Sequence, residues 1–464
     1  MSSPRTRKTR KKSAATQNPS FPPMQPNVAG IDIGSVEHWV AGPPRDDKPN
    51  VRKFGTTTPD LHQIVDWLLA QGVTSVAMES TSVYWIPLYE LVESRGIQPV
   101  LVNARHLHNV PGRKTDYQDC QWLQALHSRG LLRGSFRPSE SITQLRALHR
   151  QMTNLIAERT KCVQWMEKEL DQMNIQVHRA VTDVTGKTGM TILRAIVAGE
   201  RDPVRLAKLR DARCRKPVEE IARHLTGTWR DEHIFNLSQS LKLHDAIDEM
   251  IGTYEERLQA LLQDLRPEER RDQSVPSHPV ASKEKGIKAR GEQTLRNTLW
   301  QFAGVDLTRI DGIGASTAQI LLTEAGTDLA AFPDEHHFVA WLRLCPRAAT
   351  SGGKPVKKRR NAMGANRIAN ALRMAAVSVH RSKTALGAAY RRIARVKGAA
   401  VAVFATARRL AQLAFRMLRY GQDYVDVGEQ AYEARFEVRQ LASLKERARS
   451  LGFALVQEDP RVAT

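Results

Sequence analysis

The stretch GIDIGSVEHWVA, Gly30 to Ala41, decides how the N-terminal part of the chain is read. Its apolar residues suit a buried strand, a tight Gly/Ser turn and a second strand, yet Asp32 stands in the middle of the first. A carboxylate in such a place is costly unless it is paired or holds a metal. Outward from it, VRKFGT reads as a third strand, and TPDLHQIVDWLLAQG as a helix with Thr58 or Asp60 near its start and Gly72 just past its end. VTSVAMES, VYWIPLYELVESRG, IQPVLVN and DYQDCQWLQALHSRG then alternate strand, helix, strand, helix. The alternation predicts an α/β domain over residues 28–138, a sheet covered by helices.

The chain has 464 residues, enough for two to four domains at about 100 to 200 residues each. A net charge of +21 points to a polyanionic partner, nucleic acid by default. The four cysteines are far apart and lack metal or disulfide spacing, which fits a reducing cytoplasm. Residues 1–27 form a basic arm with no apolar segment behind it, so no secretory signal is expected. No apolar run reaches the roughly eighteen residues of a membrane span.

Residues 139–265 are read as helical. Leu145, Met152, Ile156, Val163, Met166, Leu170 and Met173 keep a three-four spacing, interrupted by His149 and Arg159; His244, Ile247, Ile251, Tyr254, Leu258, Leu261 and Leu265 keep it more regularly. The two segments fit an antiparallel coiled coil with a helical tip between them, or two helices of an ordinary bundle. Residues 266–295 are charged, contain prolines and lack a period, and are read as a linker. A mostly helical domain over 296–430 and a C-terminal helix and tail over 431–464 follow. From His336 to Gln422 there are nineteen Lys and Arg and no Asp or Glu, a bias that solvated helix faces do not need and a polyanion explains.

Further acids stand in settings like that of Asp32. Glu79 closes the strand SVAME, and GRKTDYQDC places Asp116 and Asp119 three apart, on one face of a helix. Together the four suit one or two Mg²⁺ ions, with Arg105, Arg113 and Lys114 beside a phosphate. Taken singly, each acid is equally a helix cap or a surface charge. In LTRIDGIGASTAQILLTEAG, Gly312 and Gly314 resemble the turn of a helix-hairpin-helix, where backbone N–H groups approach a phosphate. In CPRAATSGGKPVKKRR, Ser351 precedes two glycines, with Lys354, Lys357, Lys358, Arg359 and Arg360 beyond it and Arg367 opening a basic helix. The serine is either a nucleophile beside phosphate-binding cations or part of a solvated glycine turn.

The stretches GIDIGS, VAMESTSVYW, LVNARHLHNVPGRKTDYQDCQWLQ, RIDGIGASTAQILLTEAG and SGGK with its basic helix together resemble the DEDD transposases of bacterial insertion sequences, the 110 family and its 1111 subgroup. The likeness runs from about Val28 to Glu429. It implies a RuvC-like (RNase H-like) N-terminal domain whose acidic tetrad is Asp32, Glu79, Asp116 and Asp119, and a C-terminal domain whose nucleophile is Ser351. It implies donor and target DNA, a covalent 5′-phosphoserine link assisted by Mg²⁺, a bridge-type non-coding guide RNA, and a homo-oligomer, dimer or tetramer, brought together by the coiled coil. Where an RNA selects sequence, the protein need read only backbone and shape. Three other readings stay open: a RuvC-like nuclease or resolvase that uses water and not Ser351, an actin-like kinase or ATPase suggested by GIDIGS, and a non-catalytic packaging protein.

Overall fold

Continuous apolar runs set the first sheet: VAGIDI and SVAME are buried throughout except at Asp32 and Glu79. The computed structural model describes residues 24–45, 48–80, 82–103, 115–280, 284–287, 291–345, 350–351, 354–355 and 366–456. Two units divide the chain, Met1–Arg137 and Pro138–Thr464. In the first, strands β1 (Val28–Ile33), β2 (His38–Arg45), β3 (Lys48–Phe54), β4 (Ser75–Glu79) and β5 (Gln98–Val102) form a five-stranded sheet in the order β3-β2-β1-β4-β5. The β1–β2 and β2–β3 pairs are antiparallel, and the β1–β4 and β4–β5 pairs are parallel. This mixed sheet with helices is consistent with a RuvC-like fold.

One face of the sheet packs Ile31, Ile33, Val76, Met78 and Leu101 against α1 (Thr58–Ala70) and α2 (Trp85–Ser94). The opposite face packs Ala77 and Val102 against Leu123 of α3 (Asp116–Ser128). Helix α1 opens at Thr57, whose N–H and hydroxyl both donate to the Asp60 carboxylate, at 3.1 and 2.5 Å. Gly72, at φ +68°, lies just beyond its C-cap.

In the second unit, α4 (Glu140–Gln172) and α9 (Asp231–Asp264) run antiparallel: Arg159 pairs with Asp248, and His233 Nδ1 lies 2.7 Å from Glu169 Oε2. Their seam buries Leu145, Met152, Met166 and Leu170 against Leu237, Leu241, Ile247, Ile251 and Leu258. It departs from the expected register where Leu262 and Cys162 are buried in place of Leu261 and Val163, and where Ile156 is exposed. His149, which breaks the apolar period, is buried and meets the Thr323 hydroxyl at 3.2 Å. Between the long helices, α5 (Val177–Ala180), α6 (Lys187–Val197), α7 (Pro203–Lys208) and α8 (Val218–Leu225) close their own core around Ile192, Leu193, Leu206 and Ile221.

The segment read as a linker is held against α10 (Gln293–Ala303). The Val275 N–H donates to Asn297 Oδ1 at 2.7 Å, and Gln301 Nε2 donates to the carbonyls of Arg271 and Gln273. Arg296, fully buried, donates to Glu284, Asp306 and the Pro276 carbonyl at 2.7–3.1 Å. An irregular wrap of this kind has no period to reveal it. The rest is helical: α11 (Ala315–Ala325), α12 (Glu335–Trp341), α13 (Arg367–Val379), α14 (Ala385–Lys397), α15 (Ala399–Tyr420) and α16 (Glu429–Ser450), with a short hairpin of β6 (Thr350–Ser351) and β7 (Lys354–Pro355). No helix among the described residues is long and apolar enough to cross a membrane.

Candidate active site

Sheet register brings the first two acids to one level. Ile31 pairs with Met78, so Asp32 and Glu79 follow at matched positions on neighbouring strands and project to the same face, the one that carries α3. Glu79 itself pairs with Val102, which packs against α3.

The remaining pair arrives on α3. Thr115 caps that helix by accepting the Gln118 N–H at 3.4 Å, and Asp116 and Asp119 occupy its first turn, where carboxylates are favoured by the helix dipole. Helix and strand approach closely because residue 30 is glycine. A Cβ there would lie 2.3 Å from Gln124 N, 2.5 Å from Cys120 O and 2.8 Å from Leu123 Cβ. Gln124 Nε2 also donates to the Val28 carbonyl at 3.4 Å, and Tyr117 packs edge-on to Trp39, the residue opposite Asp32 on β2.

Electrostatics tie the four acids together. Asp32 is half-buried, and burial, then the charges of Asp116, Glu79 and Asp119, push its carboxyl up to about 7. The Cys120 thiol is pushed up to about 12 by burial and then by Asp32, so it is an inert neighbour. Among the described residues no three acid, imidazole or thiol groups already make a ready-made cation site; the carboxylates share a field without forming a closed cage. The donor set nevertheless suits a hard cation, because oxygen ligands and a relieved Asp32 charge are what Mg²⁺ would meet there.

In the second unit, Ser351 pairs with Lys354 across the small hairpin, as the last paired residue before two glycines in sequence. Gly312 sits at φ +86°, and a Cβ would lie 2.4 Å from Val379 Cγ2 and 2.8 Å from Ala375 O, so the turn packs closely on helix α13 and leaves no room for a side chain there. Gly314 is the N-cap of α11 and has room around it, its nearest neighbour being Glu292 Oε2 at 4.0 Å. Arg367 lies 4.0 Å from the buried Glu324, which Arg150 grips through both oxygens at 2.8 and 2.6 Å and Arg146 joins at 3.4 Å. Three arginines thus share one carboxylate. Sequence reading missed this cluster, because its partners are far apart along the chain. Arg105, Arg113, Lys114, Lys357, Lys358, Arg359 and Arg360 lie outside the described residues.

Two comparisons bear on these units. A family model described as a transposase, DEDD type of IS110, matches residues 29–175, and one described as transposase IS116/IS110/IS902 family matches residues 306–391. The first match holds the sheet and the four acids, and the second holds Gly312, Gly314, Ser351 and Arg367. No curated protein matches the chain.

Proposed function

Since the chain belongs to the IS110 family of DEDD transposases, whose substrate is DNA, we propose that it cleaves and exchanges strands through the carboxylates of Asp32, Glu79, Asp116 and Asp119 and the hydroxyl of Ser351. One observation carries this reading: strand register sets Asp32 beside Glu79 on the face that packs α3, whose first turn holds Asp116 and Asp119, and burial with those three acids pushes the Asp32 carboxyl up. A fold keeps a costly carboxylate of that kind where its charge is used.

Asp32, Glu79, Asp116 and Asp119 would hold one or two Mg²⁺ ions, which when bound supply Lewis-acid stabilisation of the oxygens around the scissile phosphorus. Ser351 Oγ forms a bond to that phosphorus while the bond to the 3′ oxygen breaks. The serine proton is lost, and the strand is left as a 3′-hydroxyl and a 5′-phosphoserine. The ester conserves the energy of the phosphodiester, so a different 3′-hydroxyl can rejoin it without ATP. The cations from Lys354 to Arg360, with Arg367, neutralise phosphates, and the N-terminus of α11 at Gly314 offers backbone N–H groups to the same backbone. The acid-free region supports backbone contact without base reading, and so a division of labour in which a bridge-type RNA selects donor and target. The long α4 and α9 helices bring protomers together as a homo-oligomer, and the motifs fit the 1111 subgroup.

The test is strand exchange on DNA carrying the element's ends, with its RNA and Mg²⁺. Glu79→Gln and Asp119→Asn are expected to bind DNA while losing cleavage by at least about a hundredfold, the scale of losing one preorganised electrostatic group. Cleavage by either variant at the wild-type rate would remove the acid tetrad from the mechanism.

A further inference from the structure

Helix α16 is anchored at its beginning and uncovered beyond it. Arg391 pairs with Glu429, and Arg392 donates to the Tyr432 hydroxyl at 2.7 Å and stacks over Phe436 at 4.0 Å. From Glu437 onward no residue of the helix is buried among the described residues, and Val438, Leu441 and Leu444 are 68%, 50% and 49% exposed. Ala434, Glu437, Leu441, Leu444, Ala448 and Leu451 recur at alternating spacings of three and four, the seam of a two-helix pairing.

Charge along that seam is polar from end to end. In and beside it Glu433 and Glu437 lie in the first half and Lys445 and Arg447 in the second, while Arg435, Arg439, Glu446 and Arg449 fall on the helix side away from it. Such a helix complements its own inverted copy. Turned antiparallel, Glu433 and Glu437 meet the Lys445 and Arg447 end of the other helix, and Leu441 meets Leu444. Aligned parallel, Glu437 stacks on Glu437, and like charges repel. The acids set into the stripe also argue against a nucleic acid on this face.

We propose that α16 pairs antiparallel with α16 of a second copy of this chain. The pairing needs no DNA and no metal, so its failure leaves the recombinase reading standing, and the reverse holds as well.

Disulfide trapping on the full chain tests it, with differently tagged copies mixed and the unsubstituted protein as background for its native cysteines. Leu441→Cys mixed with Leu444→Cys, and Glu437→Cys mixed with Ala448→Cys, are expected to cross-link. Glu437→Cys with itself is not. A second measurement follows dimer dissociation on dilution: Glu437→Lys weakens it about fivefold, as expected for two symmetry-related exposed ion pairs, and adding Lys445→Glu in the same chain restores it. Homotypic linkage at position 437, or no linkage in either mixed pair, would overturn the proposal.

Discussion

Replacing Asp32 by asparagine is expected to stabilise the metal-free protein at pH 8, although it removes activity. Burial and three neighbouring acids raise the Asp32 carboxyl from 3.8 to about 7. At about 1.36 kcal/mol per pKa unit the full shift corresponds to ~4 kcal/mol. Asp32 is only half-buried, and screening by solvent reduces this to about 2 kcal/mol. The sign follows from linkage: the folded state holds this proton more tightly than the unfolded chain. Stability from Asp32 is therefore present below about pH 4 and is lost as pH rises towards 7. In chelator, thermal unfolding of the wild type and Asp32→Asn should nearly coincide at low pH and diverge by roughly 5–10 °C at pH 8, with the variant the more stable. Adding Mg²⁺ should narrow the gap by raising the wild type alone. A variant less stable than the wild type at pH 8, or a gap independent of pH, would refute the reasoning.

Gly30→Ala should push α3 off β1 by about 1 Å, costing about 1–3 kcal/mol and slowing cleavage about a hundredfold; a melt and a cleavage assay together show whether the acids lose register. Arg296→Leu leaves Glu284 and Asp306 without their buried cation and should cost about 3–5 kcal/mol in denaturant unfolding; a loss under about 1 kcal/mol would mean the wrap is not held as described. Arg359→Ala with Arg360→Ala should flatten the dependence of log K for DNA on log salt by about one to two; an unchanged slope would take those two arginines off the phosphates.

How much of this was legible in the sequence depends on range. The strands and helices of the first unit could be read because short apolar runs bounded by turn residues take turns with helical periods, and Asp32 stood out as the one acid inside an apolar strand. That Asp32 and Glu79 are neighbours could not be read, since it depends on β1 pairing with β4 rather than with another strand. Nothing in the sequence gives Gly30 a role, which comes only from the approach of Cys120 and Gln124. The stretch from Arg266 to Gln293 lacks a period, and its described residues around Arg271 and Val275 are held by hydrogen bonds to α10, not by a repeating apolar face. Gly312 could be read as a turn glycine, but not its close contact with Val379 and Ala375, more than sixty residues on, which excludes a side chain there.

A recombinase of the proposed kind holds DNA covalently, and trapping that intermediate separates it from a hydrolytic nuclease. Wild-type protein incubated with its DNA and Mg²⁺ is denatured and digested, and the peptide that carries nucleotide is sequenced. An adduct stable to denaturant is expected on the peptide containing Ser351, lost in Ser351→Ala while DNA binding persists. An adduct on Thr350 or Tyr117, or cleaved DNA with no adduct on any residue, would contradict it and favour hydrolysis by water.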